Sequence, residues 1–530
     1  MANSFTKRRI STFQMLFKQI GGLLILLGFI MSLPAFVSLI YGEYFSAMGF
    51  VISLLICLFI GFYLYKSFDS SPEPLSRHTL IIAALGWLSI AVLGALPFFI
   101  IAHITPNDIA QQFVPLGSDY LSSLSYFRDP LHALFESMSA FTTTGLTMAV
   151  HEPSVGKGIL FYRSLAQWIG GAGFIVLALA VLKQSNGRAA FLLYGSESTG
   201  ERLKPTIIET ARSIWKIYLG LTLFSAIFLF VGTRMILPDY NILENIFDSI
   251  NHAMTGQSTG GFSTLDDSIA GYQSRSMDML YLLPMFLGSL SIPFFFKVIF
   301  NKQISLFWKD TQTRAIILSC IVGGIILSIL LSHSNTISEP YRIGIFQFIS
   351  AITTTGWQTS DVSIWDSASM LFIVLGAMVV GGSSGATVGG IKIIRVVLIY
   401  KGLKWQVNNF FNSANSINVV NFNGKRILPD EMNKELASAA TFVFIYLLFV
   451  LLSTLATYFL MGEGYTMADA LFESASAQGT VGLSTGITNP NMNPFLEIIY
   501  ILQMWAGRLE IIPILVLLRT IIWGTKPNVE

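Results

Sequence analysis

One pattern occurs four times in the sequence, as SAFTTTGLT (139–147), GQSTGGFST (256–264), SAITTTGWQT (350–359) and SAQGTVGLST (476–485). Each copy joins a run of small residues to a step of Thr or Ser, Gly and a hydrophobic residue. Because glycine permits backbone angles that other residues resist, a glycine at one point of every copy predicts a special backbone path. Such a path can turn peptide carbonyls toward an axis, which is how cation channels replace the water shell of an ion.

A phenylalanine precedes the loop glycine by ten residues in three copies; the pairs are Phe135–Gly145, Phe346–Gly356 and Phe472–Gly482. In the second copy Phe247 precedes Gly261 by fourteen residues, which predicts extra residues in that loop. Hydroxyls and carbonyls are hard oxygen donors that suit an alkali cation. The predicted ion-binding residues are Thr142, Thr143, Thr144, Gly145, Ser258, Thr259, Gly260, Gly261, Thr353, Thr354, Thr355, Gly356, Gly479, Thr480, Val481 and Gly482. The alternative is that glycine and threonine only allow close packing of helices.

The composition excludes a soluble globular chain, since 53% of the 530 residues are hydrophobic, 12% are charged and the mean hydropathy is +0.64. Apolar segments repeatedly reach membrane-spanning length, roughly 20 residues. The predicted spans are 20–41, 46–65, 79–102, 158–182, 213–237, 277–300, 314–333, 366–400, 435–461 and 494–522. The net charge of +2 does not indicate nucleic acid as a partner, and the spans imply contact with membrane lipid.

Segments too short to cross a bilayer lie between the third and fourth spans and between each later pair, and they carry the four loops. Residues 79–522 therefore form four repeats of span, half-span, loop and span around one pore. The predicted fold class is an all-α integral membrane protein with a two-helix N-terminal extension. Its predicted divisions are the extension (1–78), repeat 1 (79–183), a cytoplasmic linker (184–212), repeat 2 (213–300), repeat 3 with a broken last helix (301–400), a second cytoplasmic linker (401–434) and repeat 4 (435–530).

The distribution of Lys and Arg predicts a cytoplasmic N-terminus, because most of the 32 basic residues then face the cytoplasm. All four loops then enter the membrane from outside, where irregular backbone is tolerated only if protein buries it or water reaches it. Each loop follows a short helix whose C-terminal end, the negative end of its dipole, stabilises a cation. The predicted short helices are 130–141, 243–254, 343–352 and 467–477.

The segments TTTGL, STGGF, TTTGW and TVGLS resemble the four filter loops of the Trk/Ktr/HKT potassium-transporter superfamily. The two-span extension and MWAGRLEI (504–511) resemble its Trk-type membrane subunit. The resemblance implies K⁺ uptake across the cell membrane by a homodimer with one pore per subunit. It also implies a separate cytoplasmic regulatory protein of the RCK type that binds a nucleotide, with no cofactor in this chain. Glycine in all four loops resembles the potassium-preferring members, and a sodium-permeable member of the same fold is the alternative.

The predicted span 366–400 is too long, because 35 residues would form a helix of about 52 Å against a hydrocarbon core of roughly 30 Å. The predicted break, which is also the predicted gate, consists of Gly381, Gly382, Ser383, Ser384, Gly385, Gly389 and Gly390. Arg508 is a charge within a predicted span, where burying a charge is costly, so we expect it to have a structural partner or a functional role. It either pairs structurally with Glu510 or with loop carbonyls, or it faces the pore beside the loop as a positive barrier, the role that the resemblance implies.

The remaining candidate sites do not indicate an enzyme. The segment 381–392 lacks the GxxxxGK[ST] order of a phosphate loop, and no nucleophile–base set occurs. Glu136, Asp248 and Glu473 take matching places in three short helices, where they either attract cations or bond to nearby backbone. A cation-coupled secondary solute transporter with a substrate site at the midplane is a further alternative, but it predicts inverted or two-fold repeats rather than four.

Overall fold

The computed structural model describes residues 2–71, 76–181, 203–334, 337–411, 419–422 and 425–524, so most of the predicted linker 184–212 lies outside the described residues. The α-helices are Ala2–Ile30, Ser32–Ile40, Tyr44–Ser67, Ser76–Gly94, Leu96–Ile104, Asn107–Gln111, Pro130–Phe141, Lys157–Ala172, Phe174–Val181, Ile207–Ile236, Ile242–Gln257, Arg275–Ser289, Ile292–Ile299, Leu306–Lys309, Thr311–His333, Pro340–Ile352, Ser367–Ile373, Ile393–Asn409, Pro429–Leu460, Met467–Gly479, Pro494–Arg508 and Ile512–Trp523. Short 3-10 helices occupy Ser123–Arg128, Glu152–Val155 and Ser268–Tyr272, and a π-helical turn occupies Val374–Met378.

Strands are confined, in the described part of the chain, to two small ladders. Val380–Gly381 pairs in parallel with Ile391–Lys392, and Val420–Phe422 pairs antiparallel with Lys425–Ile427. The predicted all-α fold class is therefore confirmed.

Six helical segments among the described residues are long and apolar enough to cross a membrane: Phe13–Ile40, Tyr44–Ser67, His78–Ile104, Ile207–Ile236, Thr311–His333 and Pro429–Leu460. Two further helix pairs pass the same test together but are sharply bent. The chain is therefore a multi-pass membrane protein, as its composition predicted.

The bent pairs correct two of the predicted spans, because each of the segments 277–300 and 494–522 holds two helices rather than one. Arg275–Ser289 and Ile292–Ile299 meet at 96°, and Pro494–Arg508 and Ile512–Trp523 meet at 112°. In the second pair Ile511 has a φ of 65°, in the left-handed region that β-branched residues rarely adopt, so the turn is held by its surroundings rather than by local preference.

Four short helices end at the four glycine loops: Pro130–Phe141, Ile242–Gln257, Pro340–Ile352 and Met467–Gly479. Three of them begin with a side-chain cap, from Asp129, Asn241 or Thr466, which accepts hydrogen bonds from the first free backbone N–H groups. Most residues of their C-terminal halves are buried. The predicted short helices are confirmed, and the second and fourth extend past their predicted ends at residues 254 and 477.

The N-terminal extension is joined to repeat 1 by a buried carboxylate. Glu43 follows the first span and accepts hydrogen bonds from the Lys157 and Gly158 amides (2.6 and 2.9 Å) at the start of the helix Lys157–Ala172. Burial raises the pKa of Glu43, and the two amide hydrogen bonds oppose that rise. The extension therefore caps a helix that is distant in sequence.

Candidate ion-conduction site

The four glycine loops, 142–145, 258–261, 353–356 and 479–482, have the same backbone path. In each loop a threonine two positions before the last glycine has a left-handed φ; these are Thr143, Thr259, Thr354 and Thr480, with φ of 57°, 52°, 51° and 50°. The last glycines, Gly145, Gly261, Gly356 and Gly482, have φ of 93°, 74°, 82° and 89°. Four copies of one strained path indicate a common role rather than four independent turns.

The hydrogen bonds of the loops repeat in the same way. The residue between the left-handed threonine and the glycine donates its amide to a carbonyl five residues back, from Thr144 to Ser139, Gly260 to Thr255, Thr355 to Ser350 and Val481 to Ser476, at 2.8–2.9 Å. The second loop thus has the same length as the others. The predicted extra residues in that loop are wrong, because Phe247 lies further back on a longer helix.

The loops close into a ring in chain order. A Cβ atom built on each last glycine would collide with a carbonyl oxygen of the next loop: Gly145 with Gly260, Gly261 with Thr355, Gly356 with Val481, and Gly482 with Thr144. Since the fourth loop contacts the first, the four predicted sets of residues meet around one axis. Glycine is required at these positions because any side chain would displace a neighbouring carbonyl.

The four short helices carry a buried polar side chain nine residues before the loop glycine: Glu136, His252, Gln347 and Glu473. Each one accepts from a backbone amide twelve residues further on. The partners are Met148 (2.9 Å), Thr264 (3.4 Å), Thr359 (2.9 Å, with the amide of Gln347 oriented to satisfy both of its atoms) and Thr485 (2.9 Å). These side chains therefore brace the segment that leaves each loop, and backbone hydrogen bonding is confirmed for Glu136 and Glu473.

The predicted correspondence of Asp248 with the two glutamates is wrong, because His252 occupies that position. Asp248 lies one turn earlier and accepts from Thr264 Oγ1 and from the Tyr240 hydroxyl, both at 2.6 Å. Counting back from the glycine instead of from the phenylalanine would have identified His252 and Gln347 in the sequence.

The predicted helix break is confirmed, and it forms a loop that lies against the ring. The helical turns end at Met378, the ladder of Val380–Gly381 with Ile391–Lys392 closes the base of the loop, and helix resumes at Ile393. We call residues 381–390 the intramembrane loop. Because both of its ends are tied by the ladder, it forms one compact projection.

Three glycine loops are in contact with the intramembrane loop. Thr387 Oγ1 lies 3.0 Å from Thr259 Oγ1, and the Gly389 amide donates to Thr354 Oγ1 at 3.2 Å. A Cβ on Gly389 would collide with Thr480 Oγ1. The hydroxyls of Thr143 and Thr480 are buried and make no hydrogen bond within the described residues. Two left-handed threonines thus bond to the intramembrane loop, and two keep free hydroxyl oxygens.

Arg508 holds the intramembrane loop from the fourth repeat. Its guanidinium donates to the Thr387 carbonyl at 2.7 Å and to the Gly171 carbonyl at 2.8 Å, and it also contacts the Gly170 carbonyl. Glu510 forms its ion pair with Arg395. The predicted contact between Arg508 and the loop carbonyls is therefore present.

A cavity of about 360 Å³ adjoins these groups. Its charged lining residues are Lys392, Arg395, Arg508 and Glu510, and the intramembrane loop contributes Ser384, Gly385, Ala386 and Val388. Three cationic side chains and one carboxylate give this cavity a net positive charge.

Together, the apolar spans and the buried ring of loops rich in hydroxyls and carbonyls indicate an integral membrane transport protein for cations. Residues 86–524 match the family model of TrkH, described as a cation transport protein. The chain belongs to the TrkH family, and it is a transport protein rather than an enzyme, as the sequence predicted.

Relatives match this chain over nearly its full length. An uncharacterized cation transporter of Methanocaldococcus jannaschii is 31% identical, over 96% of this chain and 95% of that protein. The Trk system potassium uptake protein TrkH of Escherichia coli is 29% identical, over 96% and 99%. The crystal structure of the potassium transporter TrkH from Vibrio parahaemolyticus superposes with a TM-score of 0.76 at 26% identity, over 96% and 99%. The predicted family resemblance is confirmed.

Proposed function

We propose that this chain conducts K⁺ across the cell membrane through the ring of glycine loops 142–145, 258–261, 353–356 and 479–482. The proposal rests on one observation. Four loops contact one another in a closed ring, and all four share the same backbone path with a left-handed threonine. Carbonyls and hydroxyls from four sides replace the water shell of the ion, and the C-terminal ends of four short helices stabilise its charge. Relatives named as potassium uptake proteins support K⁺ as the ion.

Flux through the purified protein in liposomes tests this function. Under an imposed potential, K⁺ and Rb⁺ should enter and Na⁺ should not, because a rigid oxygen ring suited to K⁺ compensates the smaller ion poorly for its lost water. Liposomes without protein are the control. Equal entry of Na⁺ and K⁺ would favour the sodium-permeable alternative.

The gate in this proposal is the intramembrane loop (381–390) together with Arg508. The loop lies against three glycine loops, and the guanidinium holds it through the Thr387 carbonyl. Removing the guanidinium frees the loop and removes a positive charge from the path. Arg508→Ala should therefore raise K⁺ flux without changing the preference for K⁺ over Na⁺. A folded Arg508→Ala protein with unaltered flux would place the gate elsewhere.

The assembly in this proposal is a homodimer in the cell membrane, with the N-terminus and both linkers (184–212 and 401–434) in the cytoplasm. A separate nucleotide-binding regulatory protein of the RCK type opens and closes it, since an uncontrolled potassium pore would collapse the membrane potential. The mass of the purified protein in detergent tests the dimer, and flux with and without cytosolic fraction tests the regulator. Purified monomers whose flux does not change when cytosolic fraction is added would contradict this part of the proposal.

A further inference from the structure

The second glycine loop lacks a side chain that the other three possess. At the position just before the last glycine the loops carry Thr144, Gly260, Thr355 and Val481. Thr144 Oγ1 lies 2.8 Å from Thr142 Oγ1, Thr355 Oγ1 lies 2.9 Å from Thr353 Oγ1, and Val481 is fully buried. In these three loops a local side chain is buried at this position and fills the space beside the backbone. Gly260 cannot do this.

A glutamine from another repeat fills the vacant space. A Cβ built on Gly260 would lie against the Gln167 side-chain amide, 2.8 Å from its Nε2 atom. Gln167 belongs to the helix Lys157–Ala172 of repeat 1 and is fully buried. Its amide thus occupies the volume that a side chain at position 260 would enter.

The same amide bonds to the peptide groups on both sides of Gly261. Gln167 Nε2 donates to the Gly260 carbonyl at 2.6 Å, and Gln167 Oε1 accepts from the Phe262 amide at 3.1 Å. Two adjacent glycines are the most easily rotated backbone in any of the four loops. A rotated Gly260–Gly261 peptide would turn an N–H group, rather than an oxygen, toward the ring.

We propose that Gln167 is a positioning residue for ion selectivity, whose amide replaces in trans the side chain missing at position 260. This inference rests on the proposed function of the glycine loops. It requires one residue of repeat 1 to set the orientation of a peptide in repeat 2. It also explains why the second loop tolerates two consecutive glycines while its backbone path matches that of the other loops.

A pair of substitutions at positions 167 and 260 tests the inference. Gln167→Ala removes both hydrogen bonds and should lower the K⁺ over Na⁺ flux ratio at least roughly fivefold, since each lost buried hydrogen bond is worth about 1 kcal/mol. Gly260→Thr alone should also lower the ratio, because the new side chain collides with Gln167. The double variant should recover most of the loss, since Gly260 has no positive φ and a threonine there can fill the emptied space.

Gln167→Met serves as a second variant, because it keeps the length of the side chain while removing both hydrogen bonds. It should lower the ratio as Gln167→Ala does. The matched control is Gln503→Ala, which removes a buried glutamine bonded to Ser453 and Ser474 rather than to a glycine loop. Its flux ratio should equal that of the wild type.

The outcomes separate this inference from the proposed function. Wild-type protein that does not distinguish K⁺ from Na⁺ contradicts the proposed function. Selective wild-type protein with an equally selective Gln167→Met variant overturns the role of Gln167 and leaves the ring intact. A double variant no more selective than Gln167→Ala overturns the claim that the amide replaces a side chain at position 260.

Discussion

The first and fourth glycine loops share a buried glutamate at the same position, yet they stabilise it by different means. Glu136 forms an ion pair with Arg163, 2.7 Å between Oε1 and Nε, and both side chains are almost completely buried. Glu473 has only neutral donors in the described structure, the hydroxyls of Ser484, Thr485 and Thr488 and two backbone amides. A buried charge thus requires either an opposite charge or a full set of hydrogen bonds.

The backbone of the two loops is nonetheless the same. Gly145 and Gly482 donate their amides at 3.0 Å to the hydroxyls of Ser139 and Ser476, at matching positions. In the second and third loops, the equivalent amides lie 3.4 and 3.5 Å from a helix carbonyl instead. Equal loop geometry therefore does not imply equal sensitivity to substitution, because the supporting groups differ.

The largest expected effect comes from removing the cation behind the first loop. Arg163→Met should lower the free energy of unfolding in detergent by about 3–5 kcal/mol, since Glu136 would remain buried without its partner. Chemical unfolding of the purified protein measures it. The double variant Glu136→Gln with Arg163→Met should recover much of the loss, because neither charge is then left alone. A double variant as unstable as the single one would show that the ion pair is not the cause.

An intermediate effect distinguishes the two glutamates by the same substitution. Glu473→Gln should lower the free energy of unfolding by about 1.5–3 kcal/mol, the range for hydrogen bonds to a charged group. The loss stays in this range because the described partners of Glu473 are neutral, so the substitution leaves no cation uncompensated. Glu136→Gln should cost more, since it leaves Arg163 uncompensated. The two free energies of unfolding are compared under identical conditions. Equal losses would contradict the difference described above.

The smallest effect concerns what the two loops share. Ser139→Ala and Ser476→Ala each remove one acceptor from a glycine amide, and each should cost about 1 kcal/mol. Because the geometry is the same, the two losses should agree with each other. Clearly unequal losses in the free energy of unfolding would show that the same backbone geometry does not give the two hydrogen bonds the same strength.

The all-α multi-pass fold and the four glycine loops could be predicted from the sequence, because hydropathy and the repeated glycines are local signals. The ten predicted spans exceed the number found in the described residues, where six helices, or eight segments with the two bent pairs, are long and apolar enough to cross a membrane. The break at 381–390 followed in the same way from length and composition. The bends after Ser289 and after Arg508 were not predicted, because each segment is apolar enough to be read as one span. Pro293 and Pro513, in the first turn of the second helix of each pair, are the sequence signals that mark them. The two turns depend on packing against other repeats.

The supporting residues of the site were harder to predict. The sequence does mark His252 and Gln347, because each lies nine residues before the last glycine of its loop. Aligning the loops on the preceding phenylalanine hid His252, since Phe247 lies fourteen residues before its glycine rather than ten. Gln167 carries no such signal, because its partner Gly260 is 93 residues away and belongs to another repeat. Only the packing of repeat 1 against repeat 2 brings the two together.

The central claim is that four loops form one ring, and substitution of each last glycine by serine tests it most directly. Gly145→Ser, Gly261→Ser, Gly356→Ser and Gly482→Ser each place a side chain against a carbonyl of the next loop. The K⁺ over Na⁺ flux ratio in liposomes should fall in all four folded variants. A folded variant that retains the wild-type ratio at any of the four positions would contradict the account.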